Sequence, residues 1–222
     1  TKHGVVMPAV LCVDMSLAAL GGRVHLGVRR SPLHAPAQVA ELVGRARALG
    51  GVEITGILAY EAQIAGLADA APGRHVYNAA LRAFKELSLR ELIARRGAIV
   101  AAARRQGAAL ELVNGGGTGS LDETLEDPAV TEVTVGSAFY KPHLFDAYRS
   151  PAVGELEPAA FFALEVTRVP AAGYVTCAFG GYAASGPGGA DRVPRPWLPE
   201  GLELLPYEAA GEVQTPLRLP AG

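Results

Sequence analysis

The segment 114–120, with the sequence NGGGTGS, carries the strongest chemical signal in the chain. Consecutive glycines after a strand leave backbone N–H groups free to converge on an anion, and Thr118 and Ser120 add hydroxyl donors. The alternative is a flexible loop that joins a strand to a helix. Because the segment has neither the lysine of a nucleoside-triphosphate loop nor the spacing of a dinucleotide loop, we predict that it binds a cofactor monophosphate.

Three further strand ends carry residues that could contact a ligand. Gly136 and Ser137 end the next predicted strand, where barrels commonly build a phosphate site; simple strand termination is the alternative. Tyr60 could stack on a flat ring, or pack as a rim residue against a neighbouring loop. Arg29 and Arg30 could hold a carboxylate or a cofactor oxygen, although paired arginines more often form a solvated edge.

Few side chains could act as a nucleophile or a metal ligand. The twenty basic residues include three lysines, Lys2, Lys85 and Lys141, so a mechanism that needs a lysine must use one of these or a residue outside the chain. The five histidines show no metal-ligand spacing. Cys12 and Cys177 lie too far apart in the sequence to suggest a disulfide framework or a zinc site. We therefore expect a reducing, cytoplasmic environment.

The elements that must position these residues alternate between strand-like and helix-like runs. The predicted strands are 10–14, 23–28, 53–60, 109–114 and 132–137, and the predicted helices are 36–49, 76–106 with a break near 87–90, and 121–126. Repeated strand–helix units predict an α/β fold with a parallel sheet. Short buried strands that end in glycine or polar residues favour a TIM-type α/β barrel over a doubly wound open sheet.

The composition shifts after residue 150, where Pro and Gly become frequent. Segments 160–169 and 174–179 are predicted strands, and 185–200 is predicted to hold no regular element. We predict two domains: an α/β barrel over 1–150 whose first strands are missing, and the start of a C-terminal β domain over 151–222. Because the chain begins at Thr1 without an initiator methionine, we expect a fragment or a processed chain.

Composition bounds the class of protein. Hydrophobic residues make up 50% of the chain and charged residues 19%, which excludes a disordered protein. No run reaches the roughly 18 apolar residues of a membrane span. A formal net charge of −2 argues against a nucleic-acid-binding surface.

The segments described above resemble the fold-type III pyridoxal-phosphate enzymes, which include alanine racemase, D-threonine aldolase and D-serine dehydratase. They are most similar to the bacterial amino acid deaminase/aldolase proteins that group with D-threonine aldolase. Arg30 with the Ser-Pro that follows it, and the segments 56–63, 114–120, 131–137 and 211–216, carry the resemblance. It implies an eight-stranded barrel followed by a β domain, pyridoxal 5′-phosphate as cofactor, a small amino acid substrate, and a homodimer with each site at the subunit interface.

The resemblance also implies cofactor-binding roles for seven residues. They are Gly117 and Thr118 in the phosphate loop, Gly136 and Ser137 as backbone donors, Tyr60 as the residue stacked on the pyridine ring, Arg30 near the cofactor and the substrate carboxylate, and Thr134 against the pyridine nitrogen. Racemases carry an arginine at the position of Thr134. This departure weakens the racemase interpretation and suits an aldol cleavage or an elimination.

Two family features have no match in the chain. The Schiff-base lysine of the family lies on the first barrel strand, ahead of every matched segment, so the catalytic nucleophile is predicted to lie outside this chain. The His/Cys pair that binds a divalent metal in the aldolase and dehydratase branches is predicted to lie beyond Gly222. We predict a pyridoxal-phosphate-dependent lyase acting on β-hydroxy D-amino acids, this chain alone being inactive. The alternatives are an amino acid racemase and a non-catalytic cofactor-binding or carrier protein.

Overall fold

The computed structural model of the chain describes residues 4–19, 23–182, 189 and 191–220. These residues form two compact units. The first is built from residues within 1–139 and 145–156, and the second from residues within 140–144 and 157–222. The predicted domain boundary at residue 150 stays a prediction. None of the helices in the described part of the chain is both long and apolar enough to cross a membrane.

A parallel sheet organises the first unit. In chain order the strands of this unit are β1 (Met7–Cys12), β2 (Leu17–Ala19), β3 (Val24–Leu26), β4 (Val52–Leu58), β5 (Leu112–Gly115) and β6 (Glu132–Val133). The parallel sheet has the order β1-β4-β5-β6, and β2 and β3 form a separate antiparallel hairpin. Successive parallel strands are therefore added in one direction, as in a barrel, whereas a doubly wound sheet reverses its strand order.

The three predicted helices are present in this unit, together with two short helices that the sequence pattern did not predict. They are α1 (Pro36–Leu49), α2 (Ala62–Ala65), α3 (His75–Arg105), α4 (Leu121–Leu125) and α5 (Pro151–Gly154). Helix α1 begins at its proline and ends at Gly50, whose φ of 68° suits glycine. The predicted break near 87–90 is wrong, because α3 is continuous over 31 residues. An ion pair between Glu86 and Arg90 spans that point, and no proline interrupts it.

The core of the first unit lies between the sheet and the two long helices. Its fully buried side chains include Val39 and Val43 of α1, Ile57 of β4, and Leu92 and Ile99 of α3. Helices α1 and α3 pack against each other, and α1 also packs against β4. Burial of these apolar side chains stabilises the packing of the helices on the sheet, and this packing holds the ends of the strands in place.

The second unit contains an antiparallel sheet in the order β7-β8-β10-β9. Its strands are β7 (Val166–Ala171), β8 (Tyr174–Ala178), β9 (Glu203–Leu204) and β10 (Gln214–Arg218). The predicted strand 174–179 is confirmed, but 160–165 is not a strand: Phe161 and Phe162 instead pack against Trp197 and Tyr182. As predicted, the described residues among 185–200 form no regular element.

Candidate functional site

The C-terminal ends of the four parallel strands lie at one edge of the sheet. Tyr60 and Glu61 follow β4, the glycine segment 115–120 ends β5 and continues beyond it, and Thr134 follows β6. Ser31 donates a hydrogen bond of 2.6 Å to the carbonyl of Cys12, which holds the segment that contains Arg30 at the end of β1. The sheet therefore gathers the predicted site residues at one edge.

Tyr60 links two of the other predicted residues. The guanidinium carbon of Arg30 lies 6.0 Å from the centroid of the Tyr60 ring, a cation–π distance. A Cβ atom added to Gly117 would lie 2.8 Å from Cε2 of Tyr60, so the ring packs directly on the glycine backbone. Burial raises the pKa of the Tyr60 phenol, Glu61 raises it further and Arg30 opposes them. The phenol is therefore neutral at physiological pH.

The glycines of the loop are required by close packing. Gly116 has a φ of +90°, and a Cβ there would lie 2.5 Å from Cγ1 of Val133. A Cβ on Gly119 would lie 2.2 Å from the carbonyl oxygen of Ala65 and 2.5 Å from Cε1 of Tyr148. The alternative interpretation of a loosely held linker does not fit such contacts.

The two hydroxyl groups of the loop differ in what they contact. Thr118 is buried, and its Oγ1 has no hydrogen-bond partner among the described residues. Ser120 is fully buried, and its hydroxyl donates to Glu61 at 3.1 Å while it accepts from the N–H of Gly117 at 3.2 Å. In this structure the Ser120 hydroxyl and the N–H of Gly117 therefore both have partners within the protein, and a bond from Ser120 to an anion stays a prediction.

The next strand end lies beside this loop. The 3₁₀ turn Gly136–Phe139 contacts the 3₁₀ turn Thr118–Ser120. Gly136 and Ser137 are exposed, and a Cβ on Gly136 would meet no described atom within 4 Å. The position that a Cβ of Gly136 would take is therefore open.

Thr134 has a hydrogen-bond role that the sequence does not reveal. The amide nitrogen of Asn114 donates to Glu132 Oε1 and to Thr134 Oγ1, both at 2.6 Å. Because a carboxylate only accepts, Glu132 forces the NH₂ group of Asn114 toward both partners. The Thr134 oxygen is then an acceptor from Asn114, and its own hydrogen is left to donate elsewhere. Thr134 is exposed, so that acceptor can be a ligand.

A buried group of five polar residues lies beneath the glycine loop. Nη2 of Arg96 donates to Glu61 Oε2 at 2.7 Å and to the carbonyl of Ala59 at 2.9 Å, and its Nη1 donates to Asp127 at 2.5 Å. The other Glu61 oxygen accepts from the hydroxyls of Ser120 and Thr124. Glu61, Arg96, Ser120, Thr124 and Asp127, here named the Glu61 cluster, are each 3% exposed or less.

Sequence reasoning missed Arg96, although a signal for it exists. Arg96 lies four residues after Leu92 and three before Ile99, both of which are buried on the inner face of α3. A single arginine on an apolar helix face requires a buried acceptor, because an unpaired buried charge is very costly. The sequence alone does not indicate that this acceptor is Glu61, 35 positions away.

The lysines have different surroundings. Lys85 is buried, and its ammonium lies 3.4 Å from Asp69 and 3.9 Å from Glu123. The Lys85 ammonium also lies 5.7 Å from the ring centroid of Tyr148, and the Tyr148 ring packs against Gly119 of the glycine loop. Lys85 therefore lies nearer to the glycine loop than we expect for a residue on one of the helices that surround a barrel. Lys141 belongs to the second unit, and Lys2 lies outside the described residues.

No protein-family model matches the chain, and no curated protein is significantly similar to it. Solved structures do match. D-threonine aldolase from Filomicrobium marinum superposes with a TM-score of 0.69 at 18% identity, over 98% of this chain and 52% of that chain. D-threo-3-hydroxyaspartate dehydratase from Delftia sp. HT23 gives a TM-score of 0.54 at 18% identity, over 98% of this chain and 54% of that chain. The chain has the fold-type III fold.

This fold consists of an α/β barrel followed by a β domain, and the predicted fold class is confirmed as part of such an architecture. The chain spans about half the length of the two solved structures. At 18% identity the likeness establishes the fold and leaves the activity to be argued from the residues of the site.

Proposed function

We propose that this chain binds pyridoxal 5′-phosphate and serves a lyase that acts on β-hydroxy D-amino acids. The observation that carries the proposal is the buried, unpartnered hydroxyl of Thr118, next to Gly117, on which the ring of Tyr60 packs. The names of the two solved neighbours, an aldolase and a dehydratase, support the lyase class.

The residues present fit the cofactor. The Thr118 hydroxyl offers a donor that a phosphate oxygen would satisfy, and the exposed residues Gly136 and Ser137 lie in the turn that contacts its loop. Tyr60 offers a flat face for a ring, and the exposed guanidinium of Arg30 offers a bidentate donor for a carboxylate. When bound, the cofactor ring supplies an electron sink for the carbanion that bond cleavage leaves at the substrate Cα.

The Thr134 hydroxyl can face a ring nitrogen in either protonation state. Its oxygen accepts from Asn114 with one of its two lone pairs, so its hydrogen can donate to an unprotonated nitrogen and its second lone pair can accept from a protonated one. The arginine that racemases carry at this position is always protonated and can only donate.

Whether a nucleophilic lysine is available decides between a lyase and a non-catalytic cofactor carrier. Lys85 is held by two carboxylates, which supports the prediction that the nucleophile lies outside this chain. The same observation favours a non-catalytic cofactor carrier as the second candidate. Among the described residues, no group of three or more His, Cys, Asp or Glu side chains is placed to hold a metal, so no step here is assigned to one. Cytoplasmic location and homodimer formation remain part of the proposal.

Absorbance titration with pyridoxal 5′-phosphate tests the phosphate site. Thr118→Ala is expected to weaken binding by about 1–3 kcal/mol, because a hydrogen bond to a charged oxygen is lost. The matched control is Thr167→Ala, whose hydroxyl bonds the Thr176 carbonyl in the second unit. Equal affinity of Thr118→Ala and the unmodified chain would remove Thr118 from the site.

A further inference from the structure

The Glu61 cluster determines the direction of the Ser120 hydroxyl. Ser120 Oγ lies 3.1 Å from Glu61 Oε1 and 3.2 Å from the Gly117 nitrogen. A carboxylate can only accept and a backbone N–H can only donate. Two acceptors face the single hydroxyl hydrogen of Ser120, Glu61 Oε1 and the carbonyl oxygen of Gly117 at 3.3 Å, and the carboxylate is the nearer and stronger of the two. The Ser120 oxygen accepts from the Gly117 N–H in either case.

Arg96 holds the Glu61 carboxylate in place. Its Nη2 bonds the other carboxylate oxygen at 2.7 Å, and its Nη1 bonds Asp127, so the guanidinium is fixed at both ends. The same Nη2 binds the carbonyl of Ala59 at the end of β4. A Cβ on Gly115 would lie 3.2 Å from this nitrogen, so the loop rests directly on the ion pair.

The contact with Gly117 closes the turn that presents Thr118. The N–H of Ser120 donates back to the carbonyl of Gly117 at 3.0 Å, and Ser120 Oγ lies 3.3 Å from the same carbonyl oxygen, so hydrogen bonds join residues 117 and 120 in both directions. Thr118 lies inside this closed turn. Its buried hydroxyl has no hydrogen-bond partner among the described residues, so the backbone of the turn and the packing around the side chain determine where that hydroxyl lies.

We propose that Ser120 is a positioning residue for phosphate binding. Held by Glu61, it fixes the Gly117 amide and thereby places the Thr118 hydroxyl, without touching the ligand. This inference rests on the proposed function, because the phosphate of the cofactor is the ligand concerned. It departs from the sequence-based expectation that Ser120 is itself a phosphate donor.

The test compares two ligands that differ only in the phosphate, 4′-deoxypyridoxine 5′-phosphate and 4′-deoxypyridoxine. Neither has an aldehyde, so lysines do not react. In Ser120→Ala the affinity ratio between them is expected to fall about tenfold or more, the loss that one misplaced charge-assisted hydrogen bond causes. A purely structural defect would weaken both ligands equally and leave the ratio unchanged, and that result would overturn the proposal.

Thr124→Val is the matched control. The Thr124 hydroxyl donates to the same oxygen of Glu61, but none of its hydrogen bonds involves Gly117. The affinity ratio of this variant is expected to stay within about twofold of the unmodified chain, since its removal leaves the contact between Ser120 and Gly117 intact. An equal fall in both variants would assign the effect to the cluster as a whole and overturn the role of Ser120.

Hydrogen exchange on the unmodified chain keeps the test decisive if Ser120→Ala does not fold. The Gly117 amide is expected to be protected before any ligand is added and to gain no further protection from 4′-deoxypyridoxine 5′-phosphate. Protection that appears only with the ligand would show that the phosphate takes this amide and would overturn the proposal. If the unmodified chain bound neither ligand, the proposed function would fail, a result distinct from binding with an unchanged ratio.

Discussion

The ring of Tyr60 lies between the guanidinium of Arg30 and the backbone of Gly117. We predict that Tyr60→Phe retains affinity for pyridoxal 5′-phosphate within about threefold, because the flat apolar face supplies most of the contact. Tyr60→Ala is expected to weaken binding of pyridoxal 5′-phosphate by about 1 kcal/mol or more, since both the stacking face and its contact with Gly117 disappear. Absorbance titration measures both values.

The control is Tyr77→Ala, because Tyr77 is an exposed tyrosine that also lies under an arginine, Arg74. Its removal should leave affinity unchanged. Equal damage by the Phe and Ala substitutions at Tyr60 would instead show that the hydroxyl has a role of its own, and stacking would be the wrong account.

Glu123 makes folding stability depend on pH. Burial raises its pKa above the ordinary value of 4.5, and Asp122 and Asp69 add to this, although its own backbone and Lys85 oppose it. The folded state therefore binds more protons than the unfolded chain between the ordinary and the raised pKa. Stability from this group is fully present below the ordinary pKa and falls as pH rises through the raised value.

We predict that Glu123→Gln removes this decrease of folding stability with rising pH. Relative to the variant, the unmodified chain should lose melting temperature as pH rises from 4 toward neutrality, because its carboxylate must ionise in a partly buried position. Glu126→Gln is the control, since Glu126 is exposed at the end of the same short helix. Parallel pH curves for Glu123→Gln and the unmodified chain would contradict the prediction.

At the scale of elements, the glycine loop is held by contact on several sides. Gly119→Ala is expected to lower the melting temperature by roughly 5 °C or more, because its Cβ would overlap the carbonyl of Ala65 and backbone cannot give way cheaply. Gly136→Ala is the matched control: its Cβ would enter open space, so we expect a shift of about 2 °C or less. Calorimetry measures the melting temperature of both variants. Similar losses of melting temperature would show that any glycine at a strand end is sensitive to substitution, and that the close packing of Gly119 is not the cause.

The elements that could be predicted from the sequence are those whose signals are local. Helix α1 has a proline at its start, a glycine after its end and apolar residues at helical spacing, and the prediction has the right bounds. Strand β4 was also predicted from its apolar run. The break in α3 was predicted wrongly because the pattern there reflects an exposed Leu87, and exposure does not end a helix.

Elements and contacts that depend on distant partners could not be predicted. Strand β2 has three residues and exists because it pairs with β3, and β9 has two and pairs with β10. The site shows the same division. The strand-end positions of Tyr60 and Thr118 follow from motifs, whereas the ion pair between Arg96 and Glu61 joins residues that no local pattern connects.

At the scale of the whole molecule, one sheet edge collects residues from four strand ends, and a separate antiparallel unit follows. The fold matches about half of each solved neighbour, so the ligand groups found here need not form a complete catalytic set. Residues that could contact a phosphate, a flat ring and a carboxylate all lie at this edge. Lys85, the lysine that the structure describes in the first unit, is paired with Asp69 and Glu123 and is not a candidate for the nucleophilic amine.

This distribution predicts how the chain reacts with pyridoxal 5′-phosphate. After borohydride reduction and peptide mapping, we expect scattered, substoichiometric labelling and no specific adduct. Lys85 should label poorly, because its ammonium is held by Asp69 and Glu123, and attack on the aldehyde needs the neutral amine. The control is Lys85→Arg, which keeps the charge and should give the same scattered pattern. Stoichiometric labelling of Lys2, Lys85 or Lys141 alone would place the nucleophile inside this chain.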